Sequence, residues 1–357
     1  MVLNKIFKMI YAPILIPTLS RDRHIKRLIE SLMENPWAKY TEIYVAVDFS
    51  KSDKYREGRS NILKYMQTID VSKFRAVHVI EREKNYGAFG NIDALQNEIS
   101  EKYDRFISIP DDMEVSSNFI EYMDRCLEKY ENDEDVIAVC GYNWPVKWDV
   151  SGGATCFKQN MTCTVWGIGY WSRKYDKVRK DVESGAMLNK LSNVIKEKKY
   201  LNMIDVCKKE YIEAACYKWN YGHQWLMNLS DIGLRAYLAV YDKLAIVPVT
   251  SKCRNYGFDG SGEYCEGKNI DNSQDYFSIQ GIDKNKEFEI LENKKNNLSR
   301  NRELLNEFDY RSTKVMAKTR KLIWLCENVG IWSAKLYCLL GLPYDFAIRA
   351  YNKYIRK

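Results

Sequence analysis

Histidine is scarce in this chain, with only His24, His78 and His223 among 357 residues. None of its ten cysteines stands in a Cys-x-x-Cys pair. A zinc ribbon, a dithiol redox centre and a disulfide framework all lack their parts, and the thiols read as reduced and mostly buried, in a cytosolic setting. No apolar run is clean enough for a spanning helix, since the window Leu322 to Leu342 carries Glu327 and Lys335, which a bilayer core disfavours. The opening stretch MVLNKIFKMIYAPILIPTL is interrupted by Lys8 and Pro13 and shows no clear small-residue cleavage site. A first strand is its expected use, rather than a signal peptide. There is no internal repeat, no Walker loop and no dinucleotide fingerprint.

Charge bias is missing from the body as well. Residues 314–357 hold nine Lys and Arg against Glu327 and Asp345, which equals the entire net charge of +7. The remainder is neutral and shows no global bias towards nucleic acid. The same segment carries Trp324, Trp332, Tyr337, Leu339 and Leu340. It reads as a basic amphipathic helical tail over 301–357, suited either to the anionic inner leaflet of a membrane or to packing on the body as a helical pair.

What is present is a globular composition, 46% hydrophobic and 29% charged, patterned as strands alternating with helices. Strands are expected at 12–18, 42–47, 76–80, 106–109, 136–140 and 245–249, and helices at 24–33, 55–69, after Asn91, and at 118–130. Four such alternations in about 120 residues predict an α/β fold with a mostly parallel sheet flanked by helices. Residues 172–217 read as helical and charged.

Several strands end on polar groups, and in open α/β sheets that edge binds ligands. The first strand is followed by TLSRDR, which places Arg21 where a guanidinium can fork a phosphate or carboxylate. The second ends in Asp48. The third leads to KNYGAFGN, where Asn85 and Gly87 precede a helix whose free N–H groups suit an anion. The fourth, in DRFISIPDDMEVSSNF, stops at Pro110, which cannot donate a ladder hydrogen bond, and then presents Asp111 and Asp112. A hard divalent cation needs such oxygen ligands. Downstream, TVWGIGYW reads in one of two ways: a loop in which glycines Gly167 and Gly169 sit between large aromatics, among them Trp166, as a platform for a sugar face, or an aromatic-rich core strand with a bulge. The segment Lys252 to Glu263, with Arg254, Asp259 and three glycines, carries more functional groups than a connector needs.

Taken in order, PTLSR with HIKRLIESL, VAVDFS, NYGAFGN, IPDDMEVSSNF, WGIGYW and NYGFDGSGEYC resemble a nucleotide-sugar glycosyltransferase of the GT-A fold. The resemblance is close to the family 2 type enzymes of bacterial surface polysaccharide synthesis, and it spans roughly residues 11–266. It implies that Arg21, Asp48, Asn85 and Gly87 line the nucleotide cleft, with Asp48 at the base. Asp112, supported by Asp111, would be the ligand of Mn²⁺ or Mg²⁺. Trp166 and Gly167 would help form the donor-sugar and acceptor pocket, and the loop bearing Lys252 and Arg254 would close over the diphosphate. The implied organisation is a nucleotide-sugar-binding half over 1–140, an acceptor-binding half over 141–300 and the tail.

The implied partners are a nucleotide-sugar donor, a UDP-sugar foremost, and a glycan or lipid-linked acceptor, for a cytoplasmic enzyme resting on the inner membrane face. Three departures stand out. Pro110 replaces an acid of the family's trio, Tyr264 and Cys265 stand where many relatives place a histidine, and GHQW offers no carboxylate near the acceptor site. His223 and Asp259 are therefore the two candidates for the general base. A catalytically silent binding protein built on the same fold is the competing expectation.

Overall fold

A computed structural model of the chain describes residues 9–187, 190, 197, 229–262, 281–294, 297–307, 313–330, 332, 333, 336, 337 and 340. It forms two compact units, residues 1–178 with 243–297, and residues 179–242 with 298–357. The first unit is built on an eight-stranded mixed sheet flanked by helices. Its strands are β1 (Ile14–Thr18), β2 (Glu42–Val47), β3 (Ala76–Glu81), β4 (Arg105–Ser108), β6 (Val136–Cys140), β7 (Cys156–Gln159), β8 (Ile168–Trp171) and β9 (Leu244–Pro248), in the order β3-β2-β1-β4-β8-β6-β9-β7. Strands β1 to β4 are mutually parallel, and β6 is parallel to β9, whereas β8 and β7 run against their neighbours. A second, two-stranded sheet joins β5 (Met113–Val115) to β10 (Cys253–Asn255).

The apolar runs explain these strands. Ile14, Leu15 and Ile16 of β1, Val45, Ala46 and Val47 of β2, and Val136 to Cys140 of β6 are all buried, as expected of strands covered on both faces. The helices α1 (Asp22–Met33), α2 (Asp53–Thr68), α3 (Gly87–Ser100) and α4 (Phe119–Lys129) supply the cover. Helix α1 buries Ile25, Leu28, Ile29 and Leu32 at helical spacing, and α4 buries Phe119, Ile120, Met123, Cys126 and Leu127. After β8 the chain continues into α5 (Ser172–Glu183).

Of the two readings of Thr164 to Trp171, the core strand holds for its second half, which is β8, a buried strand inserted antiparallel between β4 and β6. The reason is packing. Ile168, Tyr170 and Trp171 are buried, and a Cβ at Gly169 would lie 3.1 Å from both Met123 and Leu127 of α4. Gly169 therefore admits a helix, and only Trp166 and Gly167 remain at the strand's mouth.

In the second unit the described elements are α6 (Asp231–Val240), α7 (Leu298–Glu307) and α8 (Thr313–Asn328). Leu322 of α8 is buried against Ile323, Leu325, Cys326 and Tyr337, while Trp324, Trp332, Leu336 and Leu340 are exposed. Among the described residues no helix is long and apolar enough to cross a membrane.

Candidate functional site

Strand order fixes where the functional groups meet. From β1 the sheet grows through β2 and β3 on one side and through β4 on the other. The crevice at the carboxyl ends of β1 and β4 is a topological switch point, where ligands of open α/β sheets bind. Arg21 follows β1 and Asp111–Asp112 follows β4, so the ladder that pairs Leu15 with Ser108 brings them together. The Arg21 guanidinium donates from Nη1 to Asp112 Oδ2 at 2.8 Å and from Nη2 to Asp111 Oδ1. The Thr18 hydroxyl donates to Asp111 Oδ2 at 2.7 Å. Burial opposes the charge on Arg21, but the two carboxylates outweigh it and hold the guanidinium pKa above its ordinary value. Burial likewise pushes the Asp112 carboxyl up, with the Asp111 charge adding to the push and Arg21 opposing it.

The β5–β10 ladder then lays a glycine-rich loop over this cluster. Strand β5 begins one residue after Asp112, and its partner β10 ends at Asn255 beside Met113. The Tyr256 N–H donates to the Asp112 carbonyl at 2.8 Å, and the Gly257 N–H to Asn255 Oδ1 at 2.6 Å. A Cβ on Gly257 would fall 2.1 Å from Asp112 Oδ2, and one on Gly262 would lie 3.5 Å from Arg21 Nη1. Further along, Asp259 Oδ2 lies 2.9 Å from His24 Nε2, and Ser261 Oγ lies 3.2 Å from the same nitrogen. Asp259 Oδ1 accepts the Ser261 N–H and hydroxyl at 2.9 and 2.6 Å. Against the effect of burial, these bonds and His24 hold the Asp259 carboxyl below its usual range. The carboxylate is thus ionised at neutral pH, with its exposed side towards solvent.

Asp48, Asn85 and Gly87 meet at the neighbouring strand end. Asp48 is buried, and its carboxylate accepts the N–H groups of Phe49 at 2.9 Å, Tyr86 at 3.0 Å and Gly87 at 2.9 Å. Asn85 Nδ2 donates to the Phe49 carbonyl at 2.5 Å. Gly87 adopts φ +71°, a left-handed conformation natural to glycine, so its N–H turns back to Asp48. These groups clamp the loop after β2 to the start of α3.

Trp166 and Gly167 stand at the mouth of β8, level with the end of β4 because Ile168 pairs with Ser108. Trp166 packs edge-on against Tyr142 at 4.7 Å and Phe258 at 6.0 Å between ring centroids, forming an aromatic wall that reaches the loop bearing Asp259. Gly167 has φ +71°, and a Cβ there would crowd Phe119 at 3.1 Å.

Lys252 and Arg254, two of the expected donor-binding groups, make contacts within the protein. Lys252 is buried, its ammonium committed to Asp283 and, at 3.3 Å, to Asn118, so it works as an internal ion pair. Arg254 pairs in register with Glu114 and holds its guanidinium 4.9 Å over the Tyr256 ring, with Arg27 at 4.0 Å over the same ring. His223 lies outside the described residues. Conversely, Thr18, His24, Asn255 and Gly257 join the cluster without having been singled out. His24 carried a signal, being one of three histidines and standing three residues after Arg21. A cavity of about 290 Å³ lined by Ser100, Lys102, Asp104, Glu131 and Arg173 opens at the start of β4 and takes no part in this cluster.

A divalent cation fits one feature of the cluster. Asp112 Oδ1 is buried and has no hydrogen-bond partner among the described residues, an arrangement that is costly unless a cation or donor meets it. The donor set of carboxylate oxygens suits Mn²⁺ or Mg²⁺. Among the described residues no three His, Cys, Asp or Glu side chains converge as a ready-made cage, so remaining ligands would come from water and a bound phosphate.

A model of the GNT-I family matches residues 3–151, less than half of the chain. No curated protein matches the sequence. Among solved structures, the chain is similar to S. aureus TarS with 11% identity and a TM-score of 0.35, covering 67% of this chain and 35% of that one. S. aureus TarS 1–349 in complex with UDP matches at 14% identity and TM-score 0.33, over 47% of this chain and 49% of that one. The mannosyltransferase PcManGT from Pyrobaculum calidifontis, in complex with GDP-Man and Mn²⁺, matches at 14% and 0.31, over 39% and 37% of the two chains. The chain therefore spans about a third of the length of the first two solved relatives, TarS and PcManGT.

Proposed function

We propose that the chain is a metal-dependent glycosyltransferase, which moves a sugar from a nucleoside-diphosphate donor, a UDP-sugar foremost, to a hydroxyl of a glycan or lipid-linked acceptor. The observation that carries this reading is the meeting of Arg21 with Asp111 and Asp112 at the β1/β4 switch point, beneath a loop whose Gly257 leaves no room for a side chain. The order of the sequence motifs and the match of residues 3–151 to the GNT-I family support it.

Under this reading Asp112 holds the metal through the oxygen that lacks a partner, with Asp111 behind it. A bound Mn²⁺ or Mg²⁺ supplies Lewis-acid stabilisation of the leaving diphosphate. Arg21 forks a phosphate oxygen, which its planar donor pair suits. Asp48, Asn85 and Gly87 border the nucleotide, and the wall of Tyr142, Trp166 and Phe258 faces sugar. Asp259, ionised and steadied by His24, accepts the acceptor hydroxyl's proton as that oxygen attacks the sugar's C1 and the C1–O bond to the diphosphate breaks, its electrons leaving with the diphosphate. His223 is the other candidate base. The proposed type is an inverting hexosyl- or N-acetylhexosaminyltransferase of polysaccharide synthesis, with a nucleotide-side half to residue 140 and an acceptor-side half beyond it. The basic tail, residues 314–357, rests on an anionic inner membrane leaflet.

A thermal-shift screen of nucleoside diphosphates and their sugars with Mn²⁺ tests the reading. It expects stabilisation by UDP or GDP that needs the metal and is lost in Asp112→Asn, and the absence of any such ligand would refute it.

A further inference from the structure

We propose that Arg21 is the site's own counter-ion, a side chain that makes capture of a divalent metal conditional on the arrival of a nucleoside diphosphate. The inference rests on the reading above that Asp112 holds the metal. Asp111 gives one oxygen to Arg21 and the other to Thr18, and Asp112 gives one to Arg21. Three of the four carboxylate oxygens are thereby engaged, leaving only Asp112 Oδ1. A divalent cation of this class takes about six oxygens, so the cluster as it stands offers the bare ion a single protein ligand beside a fixed positive charge.

A diphosphate reverses that balance. Its oxygens match the guanidinium fork better than two separate carboxylates do, because both N–H pairs can meet one phosphate group. Once Arg21 turns to the phosphate, Asp112 Oδ2 and Asp111 Oδ1 become available to the metal, and the diphosphate charge offsets the two cations now close together.

The movement is one of the side chain alone, because the backbone at its root is pinned. A Cβ on Gly58 of α2 would fall 2.0 Å from the Ser20 carbonyl oxygen, so the helix is pressed against the peptide just before Arg21. The Arg21 carbonyl also accepts the His24 and Ile25 N–H groups at 3.1 Å each. The side chain itself retains 23% exposure, and above it Gly262 contributes no side chain that would block its swing. By reciprocity, metal and nucleotide must raise one another's affinity by the same factor.

The test is uptake of Mn²⁺, read from the loss of its free-ion paramagnetic resonance signal, by wild type, Arg21→Met, Arg21→Gln and Arg21→Lys, each with and without UDP and with GDP as a second probe. Wild type should bind Mn²⁺ at least tenfold more weakly alone than with nucleotide. Arg21→Met should bind Mn²⁺ alone at least tenfold tighter than wild type, with UDP adding less than threefold. Arg21→Gln, which keeps a hydrogen-bond donor for Asp112, serves the same purpose should Arg21→Met fail to fold. Arg21→Lys keeps the charge and should resemble wild type towards Mn²⁺ alone. If wild type takes up UDP or GDP with Mn²⁺ while the neutral variants bind Mn²⁺ alone no tighter, or if Arg21→Lys matches Arg21→Met, the counter-ion inference falls and the donor-site reading survives. If wild type takes up neither nucleotide with Mn²⁺, the donor-site reading falls and the inference with it.

Discussion

Gly257 lies against the Asp112 carboxylate so closely that a Cβ would sit 2.1 Å from Oδ2 and 2.9 Å from Cγ. The glycine is a requirement of the site, since the strand pairing of Asn255 with Met113 delivers the loop to that spot whatever residue follows. Gly257→Ala is therefore expected to fold and to bind UDP with Mn²⁺ at least about tenfold more weakly, a loss of roughly 1.4 kcal/mol. Titration calorimetry with UDP and Mn²⁺ checks it, with thermal unfolding as the control.

Asp259 and His24 lie 2.9 Å apart, and the proposed chemistry assigns the proton transfer to this carboxylate. Asp259→Asn keeps the shape and the contact to Ser261 but removes the base. General-base loss costs about 10²- to 10⁴-fold in rate, so transfer should fall by about that factor while the affinity for UDP with Mn²⁺ changes less than about threefold. An equal loss in binding and rate would assign Asp259 to holding the loop.

Asp124 sits on the buried face of α4, where Oδ1 accepts the Ala12 N–H at 2.9 Å. Burial pushes its carboxyl up to about 8, against about 4 in an unfolded chain. Between those values the folded state keeps a proton that the unfolded state releases, so stability falls as pH rises from about 4 to about 8 and levels off above. Asp124→Asn removes the titration and retains the acceptor. Its stability relative to wild type should improve by roughly 4 kcal/mol between pH 5 and 8.5, as thermal unfolding at both pH values will show.

The tail combines the chain's whole net charge of +7 with exposed Trp324, Trp332, Leu336 and Leu340. Each basic residue near an anionic lipid surface contributes about 1 kcal/mol. Arg320→Glu with Lys321→Glu should reduce co-sedimentation with phosphatidylserine vesicles by about tenfold or more and leave the residual binding less sensitive to salt. Unchanged binding would remove the tail from the account of membrane association.

The parts of the site legible in the sequence are those where an apolar run stops at a polar residue. Arg21, Asp48 and the Asp111–Asp112 pair are visible because each follows an apolar strand run at the point where polar residues take over. What the sequence did not show depends on distant pairing. Strand β10 meets β5 across more than a hundred residues, and the loop that follows β10 carries Gly257 to Asp112 and Asp259 to His24. His24 itself looked like part of a helix face, because it is one, and its buried position in the first turn is what aims it at the loop. Lys252 is the complementary case. Its charge suggested phosphate, while Asp283, in a stretch that reads as plain polar chain, claims it in the interior. In WGIGYW, aromatic content alone did not separate a sugar platform from a core strand, and the packing of Gly169 against α4 decided for the strand.

The most direct test of the central claim is donor turnover with Mn²⁺, measured as release of UDP or GDP from a panel of nucleotide sugars by wild type and Asp112→Asn. Wild type is expected to consume at least one donor, chelation of the metal to stop it, and Asp112→Asn to be slower by at least about a hundredfold, the scale of a lost electrostatic stabiliser of the leaving group. A wild-type protein that binds nucleotide and Mn²⁺ yet turns over no donor, with or without glycan acceptors, would contradict it and leave a binding protein on a glycosyltransferase-like fold.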